Sequence, residues 1–140
     1  MISHTLGADA REAQVTDMMT RYTERRRRRS EQHDTALRFQ LENTMQRGRL
    51  SALALSDRTG ILLAWAGEDA LCKELGAMAP VVANGWSTEW PGGISCDDVA
   101  VRTIECYGEQ LFLASLGGGV ARDALLAHSA RGIHRILTSN

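Results

Sequence analysis

Two pairs of short apolar runs, each closed by a tight turn, constrain this chain more than any other feature. The first pair is Leu50 to Leu55 and Ile61 to Ala66, joined by Ser56-Asp57-Arg58-Thr59-Gly60, a stretch of turn chemistry. The second is Val99 to Tyr107 and Gln110 to Leu116, where Gly108-Glu109 suits a two-residue turn with glycine at its first central position. Each pair predicts an antiparallel hairpin. In the first, neither run alternates cleanly between apolar and polar residues. Both strands are therefore expected to be covered on at least one face and to sit centrally in a sheet.

Helical patterns separate the hairpins. Leu37, Leu41 and Met45 recur at spacing four, with Ala36 and Thr44 beside them, and Gly48 is a natural stop. Ser30 is placed to cap the start of this helix, although the pattern is compatible with either one helix or two over residues 8–47. After the first hairpin, Leu71, Leu75, Met78 and Val82 form one stripe. Beside it Cys72, Gly76, Ala79 and Ala83 form a stripe of small residues, suited to a close approach to another backbone. Pro80 lacks the N–H the helix needs and is expected to kink or restart it. A short strand is expected near Ile94 to Asp97, after an irregular loop with Trp86, Trp90 and three of the glycines. Gly117-Gly118-Gly119 breaks the chain before a last helix, about Val120 to Thr138, whose broad apolar face holds a notch at Ser129 and Gly132. The order is α-β-β-α-β-β-β-α: an α+β fold with a central antiparallel sheet of about five strands and helices on its faces.

Charge divides the chain differently from its total. The formal net charge is −1, but residues 1–50 hold ten Arg against seven acids, and residues 51–140 six basic residues against ten acids. Five of those Arg are consecutive, Arg25, Arg26, Arg27, Arg28 and Arg29. Ahead of them Val15, Met18, Met19 and Tyr22 make a narrow helical stripe, which breaks at the Arg run. Asp17 with Arg21 and Glu24 with Arg28 are i,i+4 pairs in the favourable orientation. Residues 1–30 therefore read as a basic helical or partly disordered arm, and residues 31–140 as the domain. With 140 residues and 44% hydrophobic positions, one core is the natural count.

The ordered elements resemble a roadblock domain, the dynein light chain-like branch of the profilin/longin superfold, over roughly residues 34–138. The resemblance rests on Leu53-Ala-Leu-Ser-Asp-Arg-Thr-Gly60 feeding Ile61-Leu-Leu-Ala64, on the small-residue helix 69–84, and on Leu111-Phe-Leu-Ala-Ser-Leu-Gly117 running into the closing helix. The chain departs from the pattern in its long basic N-terminal segment, its poor third strand and the Trp86 to Trp90 loop. The resemblance implies a non-enzymatic homodimer that joins the sheets of two copies and packs their middle helices together. It further implies a scaffold or regulator of small Ras-like GTPases, as in bacterial members. The family shares no catalytic residues, so none is carried over. The candidate interface on this reading is Cys72, Leu75, Gly76, Ala79, Ala83, Trp86 and Trp90, the two tryptophans fitting equally a local staple over the sheet.

Few residues of this chain point to chemistry. The glycine run precedes a helix, but a P-loop needs G-x-x-x-x-G-K-[ST], and the one lysine, Lys73, is far away. His4, His33, His128 and His134 offer no H-x-x-x-H pair, and Cys72, Cys96 and Cys106 include no C-x-x-C. Buried inert thiols and surface histidines are expected, with no catalytic residue, metal or cofactor. Asp97-Asp98 reads as a strand-edge charge pair rather than a cation site. The Arg25–Arg29 tract could neutralise phosphates of a nucleic acid or an anionic membrane, but only Tyr22 and Phe39 lie near for stacking. A solvated face or linker is the preferred reading. The tryptophans leave a small-molecule-sensing domain as a further alternative, which would need a pocket lined by Trp65, Trp86 and Trp90. No apolar run suits a membrane span, and residues 1–10 lack signal-peptide character, so a cytoplasmic location is expected.

Overall fold

The computed structural model describes residues 2–85, 90 and 94–139; the side chains of residues 2–13, 15, 22, 25–30 and 96 lie outside the description. Its elements are α1 (Ile2–Gly48), β1 (Leu50–Asp57), β2 (Leu62–Gly67), α2 (Asp69–Ala83), a 3₁₀ turn (Cys96–Asp98), β3 (Val99–Cys106), β4 (Glu109–Gly117) and α3 (Arg122–Thr138). Compactness divides the chain into two units, Met1–Gln32 and His33–Asn140.

Helix α1 runs unbroken through Ser30, so residues 8–47, open in the sequence between one helix and two, belong to a single helix and Ser30 is not an N-cap. Between Gly7 and Gly48 there is neither glycine nor proline, and strong helix formers dominate. Nothing interrupts the i→i−4 ladder until Gly48; Arg49 then turns the chain with a left-handed φ of 52°. In the unit Met1–Gln32 the described side chains are exposed, Met18 and Met19 among them. Arg21 pairs with Asp17 at 2.7 Å, and the hydroxyls of Thr20 and Thr23 donate to the carbonyls of Thr16 and Met19.

The unit His33–Asn140 is built on one antiparallel sheet of order β2-β1-β4-β3. Strands β1 and β4 are central, with Leu53 opposite Ser115 and Leu55 opposite Leu113, whereas β2, expected to be central as well, is an edge strand among the described residues. Their unbroken apolar runs are explained by cover on both faces. On one face Leu53, Leu55, Leu111 and Leu113 meet Leu37 and Leu41 of α1 and Leu126 and Ile133 of α3. On the other, Ala52, Ala54, Phe112 and Ala114 meet Cys72, Leu75 and Ala79 of α2. Each fully buried Leu or Phe stabilises the fold by roughly 1.5–3 kcal/mol. The α3 notch receives α1: a side chain on Gly132 would strike the Gln40 amide at 2.5 Å.

The second half of the sheet also departs from the expected pattern. Residues 96–98 form a 3₁₀ turn instead of a strand, so the sheet has four strands among the described residues. Ser95 accounts for this, its carbonyl accepting from Asp98 N and its hydroxyl from Asp97 N, a local alternative to a ladder. The second hairpin turns at Tyr107-Gly108 rather than Gly108-Glu109, because Cys106 pairs with Glu109. Both turn residues have positive φ, 52° and 80°, the type I′ pattern whose twist matches the strands.

The first turn follows its sequence signature closely. Asp57 Oδ1 accepts from Thr59 N at 2.9 Å, Thr59 Oγ1 at 2.7 Å and Ile61 N at 3.0 Å. The Thr59 hydroxyl, helped by these backbone N–H groups, holds the Asp57 carboxyl below its usual range against the opposing effect of burial. Gly60, with φ of 86°, lies against the α2 backbone.

Candidate partner interface

Helix α2 starts without a side-chain cap, but Asp69 in its first turn accepts from Trp65 Nε1 at 2.8 Å, tying helix to β2. It continues through Pro80 without restarting. At its end Asn84 donates twice to Pro80 O, from backbone N and from Nδ2 at 2.7 Å. Between these ends the helix has two faces.

The inner face holds Cys72, Leu75, Gly76, Ala79 and Pro80, all buried. The small-residue stripe expected to meet a second helix is therefore the one that meets this chain's own sheet. Gly76 shows why the residues are small: a Cβ there would lie 2.9 Å from Leu62 Cδ1 and 3.4 Å from Ser56 Cβ. Cys72 Sγ reaches Ala66 O at 3.3 Å, and burial pushes its thiol up, away from nucleophilic character. Of the seven candidate interface residues, Cys72, Leu75, Gly76 and Ala79 are thus occupied by the core, and Ala83 is exposed. Trp90 is 9% exposed within the same cluster, a staple over the sheet rather than an accessible anchor. Trp86 lies outside the described residues.

The outer face of α2 is what remains accessible. Ala70, Lys73, Glu74 and Ala77 are exposed, and Leu71, Met78, Val81 and Val82 are half-buried. This outer face mixes small apolar residues with Lys73 and Glu74. The signal was present in the sequence as Ala70, Ala77 and Val81 at i, i+7 and i+11, a stripe overshadowed by the smaller residues beside it.

Other candidates resolve into structural roles. Gly117 and Gly118 have φ of 87° and 93°, and a Cβ on Gly118 would lie 2.6 Å from Leu50 Cδ2, so the run serves the strand-to-helix connection. Asp123 places a negative charge in the first turn of α3, where a phosphate would have to sit. Asp97 and Asp98 belong to the 3₁₀ turn and not to a strand edge. His128 and His134 are exposed and, with Arg131 and Arg135, line a shallow cleft of ≈ 420 Å³. Cys106 is buried and free. Among the described residues no group of His, Cys, Asp and Glu is arranged to hold a metal, and no helix is long and apolar enough to cross a membrane. Trp65 lines a groove beside β2 to which Trp90 does not contribute. The side chains of Arg25 to Arg29 lie outside the description.

No family model matches the chain, and no curated protein matches it. Solved structures do. One is Myxococcus xanthus MglB, with TM-score 0.46 and 11% identity, covering 76% of this chain and 92% of that one. Another is an MglB with tetrameric arrangement, with TM-score 0.54 and 15% identity, covering 75% of this chain and 90% of that one. The second likeness shows a shared fold, and the roadblock-like fold expected from the sequence is the one observed.

Proposed function

We propose that this chain is a non-enzymatic homodimeric scaffold or regulator that acts on a small Ras-like GTPase. The observation that carries the reading is the outer face of α2, where exposed Ala70 and Ala77 and half-buried Met78, Val81 and Val82 lie around Glu74. A second copy of the same face is its natural cover, since small residues let two helices approach closely. The fold shared with MglB supports the assignment to this class of domain. The GTPase follows from the roadblock resemblance, whose bacterial members bind or regulate such enzymes.

On this reading residues 31–140 are the dimerising domain and residues 1–30 a basic arm, a boundary supported by the division after Gln32. Dimerisation leaves the arm with its own role, and an anionic partner there is the lesser alternative. The test has two parts. Light scattering of the full chain over about 1–100 μM should give twice the monomer mass at the upper end; a monomer throughout sinks the proposal. Small GTPases of the host, loaded with GDP or a GTP analogue, should then co-migrate with the full chain and with a chain lacking residues 1–30. Loss of binding on that deletion would transfer the partner site to the arm.

A further inference from the structure

The two edges of the sheet are unlike. Strand β3 carries exposed Arg102 and Glu105, charges that discourage further pairing. Strand β2, Leu62–Gly67, holds no charge and no proline. Its bulge falls at Leu63, because Leu55 pairs with Ala64 and Ser56 with Leu62, so residues 64–67 run regularly with one side unpaired among the described residues. Leu63 and Trp65 are 39% and 37% exposed. An uncharged edge of this kind is a template for another strand.

Beside that edge lies a groove of ≈ 550 Å³, with β2 residues 63–67 as one side and Asp34, Arg38, Glu42 and Met45 of α1 on the other. Because α1 ends just before β1, and Ala52 of β1 pairs with Gly67, α1 and β2 run in the same direction. The charged residues recur every fourth position along the helix, about 6 Å apart. Same-side residues of a strand recur at about 6.7 Å. The wall of α1 therefore presents a negative, positive, negative series nearly in step with alternate residues of a strand laid along β2.

From this we infer that the β2 edge accepts an extended segment of a partner protein as an added strand. Its alternate side chains carry basic, acidic and basic groups towards α1, and apolar ones towards the side of Trp65. A second copy of this chain fits poorly: β2 has no charges to answer Asp34, Arg38 and Glu42, and its own side chains would leave them unpaired. The inference is independent of the GTPase reading, and its test uses no GTPase.

The probe is a blocked seven-residue peptide alternating valine with arginine, glutamate and arginine, added to the full-length protein. Backbone amide NMR should show shifts confined to residues 62–67 and to the facing turns of α1. A peptide of reversed charges should bind about tenfold more weakly, since each of three facing pairs changes from attraction to repulsion. The variant Arg38→Glu, at an exposed position, should prefer a peptide with arginine at all three charged positions. N-methylation of alternate peptide amides should abolish binding on one of its two registers, which identifies backbone pairing. The inference is overturned if millimolar peptide leaves the 62–67 amides unmoved, or if charge reversal makes no difference. It is equally overturned if those amides are protected in the free protein and lose protection on dilution, because the edge is then covered by a second copy.

Discussion

Replacing Gly76 with valine separates packing on the chain's own sheet from packing on a partner. A Cβ at this position would lie 2.9 Å from Leu62 Cδ1 and 3.4 Å from Ser56 Cβ. Leu62 is half-buried and its methyl can rotate away, but Ser56 is fully buried in β1 and cannot. Gly76→Ala is therefore expected to be nearly neutral, the overpacking offset by about 1 kcal/mol of helix propensity. Gly76→Val adds two methyl groups in a restricted rotamer. Overpacking of about 1–3 kcal/mol then exceeds the few tenths gained over glycine, for a net loss of about 2 kcal/mol. In a unit of this size the midpoint of thermal unfolding should fall by roughly 8 °C. Circular dichroism at two protein concentrations a hundredfold apart measures the shift. The fall should be the same at both, because the contact lies within one chain. A shift that grows on dilution, or a valine variant as stable as wild type that no longer dimerises, would refute the argument and return the small stripe to a partner.

Other substitutions probe the turn, the proton linkage and the outer helix face. Gly60→Ala should destabilise by about 1–2 kcal/mol in urea unfolding, since its φ of 86° strains an L residue and its Cβ would sit 3.2 Å from the Ala77 backbone. Asp57→Ala should lose about 1 kcal/mol at neutral pH by removing the acceptor for Thr59 and Ile61. The folded-state carboxyl of Asp57 titrates below its ordinary 3.8, so its contribution is complete above that pH and is lost as pH falls through the folded value. The stability gap between wild type and Asp57→Ala should accordingly narrow at about pH 2, and a gap independent of pH would count against the turn as described. Ala77→Glu, on the exposed side of α2, should leave monomer stability within about 0.5 kcal/mol and halve the mass seen by light scattering; an unchanged dimer would move the interface elsewhere.

Much of this fold was legible because its signals are local. The two hairpins appeared as paired apolar runs with turn residues between them, and Asp57-x-x-Gly60 named its own geometry. Features set by register or by the competition between neighbouring segments were not. Whether the second turn falls at Tyr107-Gly108 or one residue later depends on which pairs the strands choose. Ser30 has the chemistry of a cap, but capping competes with a helix that nothing upstream interrupts. The interface was the hardest part to read. Periodicity showed two stripes on α2 but not which of them met the sheet, since small residues suit a close approach to strand and helix alike. The groove beside β2 had a visible half, the Asp34, Arg38, Glu42 series, and a hidden half, the strand that tertiary packing lays beside it.

The size of α2 sets how strong a dimer built on it can be. Fifteen residues give a helix about 22 Å long, and one face of it is about 10 Å wide. Two such faces bury a few hundred Å² on each partner, short of the roughly 800 Å² per partner found in stable complexes. Lys73 and Glu74 lie within that face and weaken it further unless they pair across the axis. An interface confined to α2 is therefore expected to dissociate in the micromolar range, with sedimentation showing monomer on dilution to about 1 μM. If the dimer instead survives at about 1 nM, α2 cannot be the whole contact, and strands must join across the two copies. Of the two described edges, β3 carries its charges on opposite faces of the sheet, Arg102 and Glu105 being an odd number of residues apart, so across a twofold axis the charge that each meets on its own face is its like-charged counterpart. Replacing Arg102 or Glu105 with threonine should therefore tighten a dimer joined at β3, and a weaker dimer would move the seam elsewhere.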